Sequence, residues 1–164
     1  MFSTKVDGVP NPGTVCDRTI RGDAFPFLPK LRGTLTTSPL LQTIPGTLSC
    51  KYDLVSGEDQ SVVVTMVVTS PSKDCRTVCD GTGCRCSHHT GDQVTLHSHH
   101  TTQCVCGDYT THLHSLDRVT VVYTARDRRT NFSANYEFIK TRKVNCGTLH
   151  FNSTSGRIKR FIQI

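Results

Sequence analysis

The chain has 164 residues, nine of them cysteine and none tryptophan, with 35% hydrophobic residues and a net charge of +6. That length holds one domain and part of another, and so many cysteines exclude an ordinary cytosolic protein in favour of an oxidising compartment and a bridged scaffold. No stretch approaches the roughly 18 apolar residues of a membrane span, and His-Glu-x-x-His, Gly-x-Ser-x-Gly and a phosphate-cradling glycine loop are all missing, so no enzymatic signature is visible.

Residues 1–15, with Gly8, Pro10, Pro12 and Gly13, read as a linker or leader. They lack the apolar core of a signal peptide. The expectation is that the native start lies upstream and that the chain is a fragment of a larger secreted or membrane-anchored protein. Residues 21–46 carry Pro26, Pro29, Pro39 and Pro45 and read as loop and short extended structure, hostile to helix.

Strands begin at residues 47–54. Residues 61–69, Ser-Val-Val-Val-Thr-Met-Val-Val-Thr, form a nearly continuous β-branched run and predict a central strand. The segment 92–97 alternates. In 118–125, Val119, Val121, Tyr123 and Ala125 share one face, and in 131–138 Phe132, Ala134, Tyr136 and Phe138 do so, with Ser133, Asn135 and Glu137 facing water. No segment has a helical period. Short strands separated by Pro, Gly and Asn turns predict an all-β protein, an antiparallel sandwich of two sheets. Residues 70–117 differ: six cysteines and seven of the eight histidines lie there among Thr, Ser, Gly and Asp. A polar loop of that length needs staples.

Several motifs recur in a known order. They are Gly33-Thr-Leu-Thr-Thr-Ser-Pro39, Cys50-Lys-Tyr-Asp-Leu54, Asp92-Gln-Val-Thr-Leu96, Cys106-Gly107 and Phe132-x-Ala134-x-Tyr136. The set, covering roughly residues 16–139, resembles a CUB domain, an extracellular jelly-roll β-sandwich used mainly for binding. Val144-Asn-Cys146-Gly resembles the start of a second such domain, cut short. The organisation expected is a linker over 1–15, a CUB-like domain over 16–140, and a linker with a truncated second domain over 141–164.

The resemblance implies bridges Cys16–Cys50 and Cys86–Cys106. Cys75, Cys79, Cys84 and Cys104 remain. Cys84-Arg-Cys86 and Cys104-Val-Cys106 put two sulfurs on one face of a strand each, so two bridges side by side and a Cys75–Cys79 closure are expected among the many connectivities that eight cysteines allow. Cys146 is left over.

Many CUB domains bind calcium through an acidic trio. Here Asp92 matches one ligand, the expected Glu is replaced near Thr69 and Ser70, and the third position falls at Arg126 with Asp127 adjacent. Calcium needs several hard oxygens, so Asp92 and Asp127 are a depleted set and no cofactor is expected. His97, His99, His112 and His114 are zinc or copper candidates if the thiols beside them are free, pH sensors through their ordinary titration range, or simply exposed loop residues if the thiols are bridged. A small Cys/His-rich metal-binding protein is therefore the alternative to a binding module. A catalytic Cys/His pair is disfavoured by the same oxidation.

Asn131-Phe-Ser133 and Asn152-Ser-Thr154 fit the N-glycosylation pattern, and a glycan at Asn131 would keep a tight interface from its end of the sandwich. Basic residues cluster late, from Arg126 to Arg160. They suit an acidic surface or form a solvated face. The expected partner is an extracellular protein or acidic glycan, without nucleic acid and without direct membrane insertion.

Overall fold

The computed structural model describes residues 7–23, 31–37, 43–71, 74–99 and 101–141. The segment expected to begin a second domain, with Cys146, Asn152 and the basic residues from Arg142 on, lies outside the described residues. Within them the secondary structure is β throughout. In chain order the strands are β1 (Val9–Pro10), β2 (Arg18–Arg21), β3 (Arg32–Thr36), β4 (Leu48–Val55), β5 (Gln60–Thr69) and β6 (Thr77–Asp80). They continue with β7 (Gly83–Cys86), β8 (Gln93–His97), β9 (Thr102–Val105), β10 (Tyr109–Ser115), β11 (Arg118–Ala125) and β12 (Asn131–Lys140).

Two sheets form a sandwich-like arrangement. One has the order β1-β2-β4-β11-β8-β9, the other β10-β5-β12-β3, and β6 and β7 make a separate hairpin. Every pairing is antiparallel except β2 with β4. The alternation read in the sequence decides which side chains go inside. Along β12 exposed and buried positions alternate, placing Phe132, Ala134, Tyr136 and Phe138 in the core. Along β11 Val119, Val121, Tyr123 and Ala125 are buried in the same way. The two sheets meet through rings: Phe132 of the four-stranded sheet lies 6.2 Å from Tyr52 and 5.2 Å from Tyr123 of the six-stranded sheet, centroid to centroid. Each large apolar side chain buried here contributes about 1.5–3 kcal/mol relative to exposure.

Three segments depart from the expectation. β5 is central, flanked by β10 and β12, but its apolar run does not mean burial on both sides. Val62, Val64, Met66 and Val68 are buried, while Val67 is 43% exposed on the outer face. Val9 and Pro10, inside the expected linker, pair with β2. The region 70–117 is not a long loop; it contains five strands, β6 to β10, held by their ladders and by sulfur.

The eight cysteines among the described residues form four bridges: Cys16–Cys50, Cys75–Cys106, Cys79–Cys84 and Cys86–Cys104. The first links the segment before β2 to β4. The expected Cys86–Cys106 pair and the Cys75–Cys79 closure do not form, and the register explains why. Cys79 and Cys84 face each other directly across the β6–β7 hairpin, so they consume each other. Only one of the two side-by-side bridges then survives, Cys86–Cys104, between β7 and β9. Cys106 lies one residue beyond the end of β9, where Gly107 turns the chain at φ +70°. A Cβ at Gly107 would stand 2.6 Å from the carbonyl oxygen of Cys75. The glycine thus lets the segment before β6 approach, and Cys106 meets Cys75. Thr77 fastens the same junction: its hydroxyl donates to the Cys106 carbonyl at 2.8 Å and accepts the Cys106 N–H at 3.0 Å.

Candidate functional site

The functional candidate with the most organised chemistry lies at one end of the sandwich, around Asp92. This residue ends the 87–92 turn just before β8 and is only 4% exposed. Its Oδ1 accepts the N–H groups of Arg126 (2.5 Å), Asp127 (3.0 Å) and Arg128 (3.1 Å), and its Oδ2 accepts that of Thr130 (3.0 Å). The Tyr123 hydroxyl donates to the Thr130 carbonyl at 2.9 Å and lies 3.4 Å from Asp92 Oδ2. One carboxylate therefore gathers nearly all the backbone donors of the β11–β12 connection, the role an oxyanion plays when it caps a nest of N–H groups. Burial alone would raise the Asp92 pKa, but these hydrogen bonds outweigh it and hold the carboxyl below its ordinary range. Burial, with the Asp92 carboxylate nearby, pushes the buried Tyr123 hydroxyl up.

The loop so formed carries three arginines with different tasks. Arg128 adopts φ +59°, the left-handed region that a side chain adopts only at some cost. Its guanidinium then reaches the carbonyls of Ile44 at 2.7 Å and Gly46 at 2.5 Å, tying the 43–47 segment to the site. Arg126 donates to the Gly91 carbonyl at 2.8 Å and remains half-buried. Arg129 is exposed, with its backbone N–H on Asp127 Oδ1 at 3.0 Å.

Asp127 is exposed and stands close to Asp92. Burial of its carboxyl, together with the adjacent Asp92 carboxylate, raises its pKa despite the Arg129 N–H. Asp74, Cys75, Gly91, Asp92, Asp127 and Thr130 line a small polar pocket of about 60 Å³. The structure thus brings the two calcium candidates Asp92 and Asp127 together and adds Asp74, which sequence reasoning missed because it sits outside any motif. The donor set does not fit calcium, however. Asp92 already spends both oxygens on N–H and O–H donors, and a cation there would have to displace them to reach the six to eight oxygens it requires.

The histidines are not brought together. His97 and His99 belong to β8 and the turn after it, in the six-stranded sheet. His112 and His114 lie on β10 at the edge of the other sheet, and all four are exposed. His112 Nδ1 is 2.8 Å from Thr65 Oγ1, His114 Nε2 is 3.0 Å from Ser61 Oγ, and His97 Nδ1 is 3.2 Å from Thr102 Oγ1. The three donors that do converge among the described residues are the sulfurs of Cys75, Cys86 and Cys106, and each belongs to a disulfide. A bridged sulfur is not the thiolate a zinc site needs.

A second polar centre escaped sequence reading altogether. Asp53 points to the outer face of the six-stranded sheet yet is 6% exposed. It accepts the Thr120 hydroxyl at 2.6 Å and the Arg118 guanidinium at 2.9 Å. Burial opposes ionisation there, but the Thr120 and Arg118 hydrogen bonds prevail and its pKa lies below the usual range. Asn131, the glycosylation candidate, is exposed at the first position of β12 and projects from the outer face of the four-stranded sheet, beside Thr69.

No protein-family model matches this sequence, and none of the curated proteins does.

Proposed function

We propose that this chain is an extracellular, non-catalytic recognition module of CUB-like type within a larger secreted or membrane-anchored protein. It binds a protein or an acidic glycan through the loops gathered by Asp92. The observation that carries this reading is the division of labour in the β11–β12 loop. Asp92 and Arg128 are spent on holding the loop's shape, which presents the half-buried Arg126, anchored on the Gly91 carbonyl, and the exposed Arg129 on a held backbone. A rigid loop on a cross-linked sandwich loses little freedom when a partner docks, which is what makes such loops effective binders.

The compartment is supported by the four bridges, which persist under oxidising conditions. No helix among the described residues is long and apolar enough to cross a membrane. Asn131 carries an N-glycan in this reading. Since its side chain leaves the outer face of the four-stranded sheet, the expectation that such a glycan closes its whole end of the sandwich narrows to that flank, and a partner approaches from the six-stranded side, where Arg126 leaves β11.

The test is binding to immobilised sulfated oligosaccharide and to an acidic peptide, measured at two salt concentrations. The expected result is salt-sensitive binding to one of them that weakens several-fold in Arg126→Ser and Arg129→Ser, because charge-driven contacts are screened by salt. Unchanged binding in the double variant, or none in the wild type, would reject the acidic-partner reading.

A further inference from the structure

Two of the four bridges lie against each other. The Sγ atoms of Cys75, Cys86 and Cys106 all lie within 4.8 Å of one another, although Cys75 is bonded to Cys106 and Cys86 to Cys104. Disulfides exchange when a thiolate attacks a neighbouring disulfide sulfur, and the rate depends on access, on the leaving thiol's acidity and on which sulfur is attacked. Here the proximity that an internal second attack needs already exists.

The exposure of the four residues orders the steps. In the Cys86–Cys104 bridge, Cys104 is half-buried at the edge strand β9, whereas Cys86 is 5% exposed. An incoming thiol therefore reaches Cys104. The sulfur it expels, Cys86, is the one that belongs to the trio. In the Cys75–Cys106 bridge, Cys106 is 1% exposed, while Cys75 lines the polar pocket beside Asp92. Cys75 is therefore the sulfur that departs toward the pocket, where the carboxylates favour its prompt uptake of a proton.

We propose that these two bridges form a thiol-exchange relay, with Cys104 as the acceptor site for a low-molecular-weight thiol of the glutathione class and Cys75 as the thiol released. In the first step the external thiolate forms a bond to Cys104 Sγ, the Cys86–Cys104 bond breaks, and Cys86 leaves with the electron pair. In the second, the Cys86 thiolate bonds to Cys106 Sγ, the Cys75–Cys106 bond breaks, and Cys75 leaves as thiolate and takes a proton from water. Two disulfides become one internal disulfide, Cys86–Cys106, and one mixed disulfide at Cys104, with no net oxidation or reduction. The consequence is local: a covalent event at the β7–β9 seam frees the segment before β6 from Cys106 and places a thiol in the pocket that Asp74, Asp92 and Asp127 share. Cys79–Cys84 cannot take part, because it closes within its own hairpin and neither sulfur belongs to the trio.

The sequence makes the relay easy to read. Trypsin cuts after Lys73, Arg76 and Arg85, and next after Arg118, so Cys75 lies alone on the 74–76 peptide, while Cys86, Cys104 and Cys106 share the 86–118 peptide. The protein, carrying Cys146→Ser to remove the ninth cysteine, is treated with limiting reduced glutathione, quenched with acid, alkylated and digested without reduction. The expected result is an 86–118 peptide that fragmentation shows to carry glutathione on Cys104, together with a detached, alkylated 74–76 peptide in equal amount, whereas glutathione on Cys106 would mean direct attack on that bridge and overturn the relay. A glutathionylated 86–118 peptide still joined to 74–76, or no glutathione on it under conditions that open Cys79–Cys84, overturns the proposal. Cys104→Ser offers a second measurement where it folds. With Cys86 deprived of its partner, the relay predicts a Cys86–Cys106 bridge and an alkylatable Cys75 in a substantial fraction of molecules. An intact Cys75–Cys106 bridge in all of them argues against it.

Discussion

Replacing Asp92 tests whether one carboxylate organises the loop end. In Asp92→Ala, four backbone N–H groups lose their acceptor, and those of Arg126, Asp127 and Arg128 lie where water can take over part of the work. The Thr130 N–H is buried and cannot be reached so easily. Hydrogen bonds to a charged group are worth about 1.5–3 kcal/mol, and an orphaned buried donor costs about as much. Counting one fully orphaned donor and partial losses at three others, the expected cost is about 3–5 kcal/mol, or a melting temperature lower by about 10–15 °C for a domain of this size. Asp92→Asn keeps one oxygen for the three loop donors but turns an NH₂ toward Thr130, so about 2–3 kcal/mol is expected. Urea unfolding at neutral pH reads both.

The pH profile gives an independent reading of the same residue. The loop N–H groups hold the folded-state pKa of Asp92 below the ordinary carboxylate range, against the opposing effect of burial. Its contribution is therefore complete above the unfolded-state value and is lost as pH falls through the folded value. Asp127, whose pKa is raised, takes up its proton first and partly offsets that loss. Asp92→Asn should flatten the acid limb of stability below about pH 4. A cost under about 1 kcal/mol for Asp92→Ala, with an unchanged acid limb, would refute the anchoring role.

Other consequences can be checked in parallel. Replacing Cys16 and Cys50 by Ser opens a link of sequence separation 34 and should cost about 4 kcal/mol by loop entropy, against about 2 kcal/mol for Cys79 and Cys84 at separation 5. Denaturant melts of the two double variants distinguish them, and equal costs would contradict the entropic account. Gly107→Ala meets both the positive φ and the Cys75 carbonyl, so a loss of about 2–4 kcal/mol is expected; a melting temperature within a degree of wild type would disprove the close approach. Adding millimolar calcium, or a chelator, should leave the melting temperature in place, because Asp92 has no oxygen to spare. A calcium-dependent rise would show that the loop donors yield to the ion.

What could be read from the sequence was what side-chain alternation controls. β11 and β12 announce themselves because every second residue is apolar and one face must be buried. β10 did not, because its inward positions, Tyr109, Thr111 and Leu113, are only half-buried and its outward ones are Thr110, His112 and His114. The pattern there is too polar to distinguish a strand from a loop. The C-x-C spacing put Cys84 and Cys86 at alternate positions of β7, but Cys106 falls beyond the end of β9, and hairpin register, not spacing, chose the partner of Cys84. Asp92 was legible as a residue of interest and not as a loop anchor. Its donors come from residues 126–130, which only the pairing of β8 with β11 brings near.

The most direct test is a disulfide map of the untreated protein, obtained by acid-quenched digestion and mass spectrometry. The prediction is Cys16–Cys50, Cys75–Cys106, Cys79–Cys84 and Cys86–Cys104 as the dominant set. Free thiols at these positions in a natively folded sample, or a dominant set containing Cys75–Cys79, would contradict the account of a sulfur-locked sandwich.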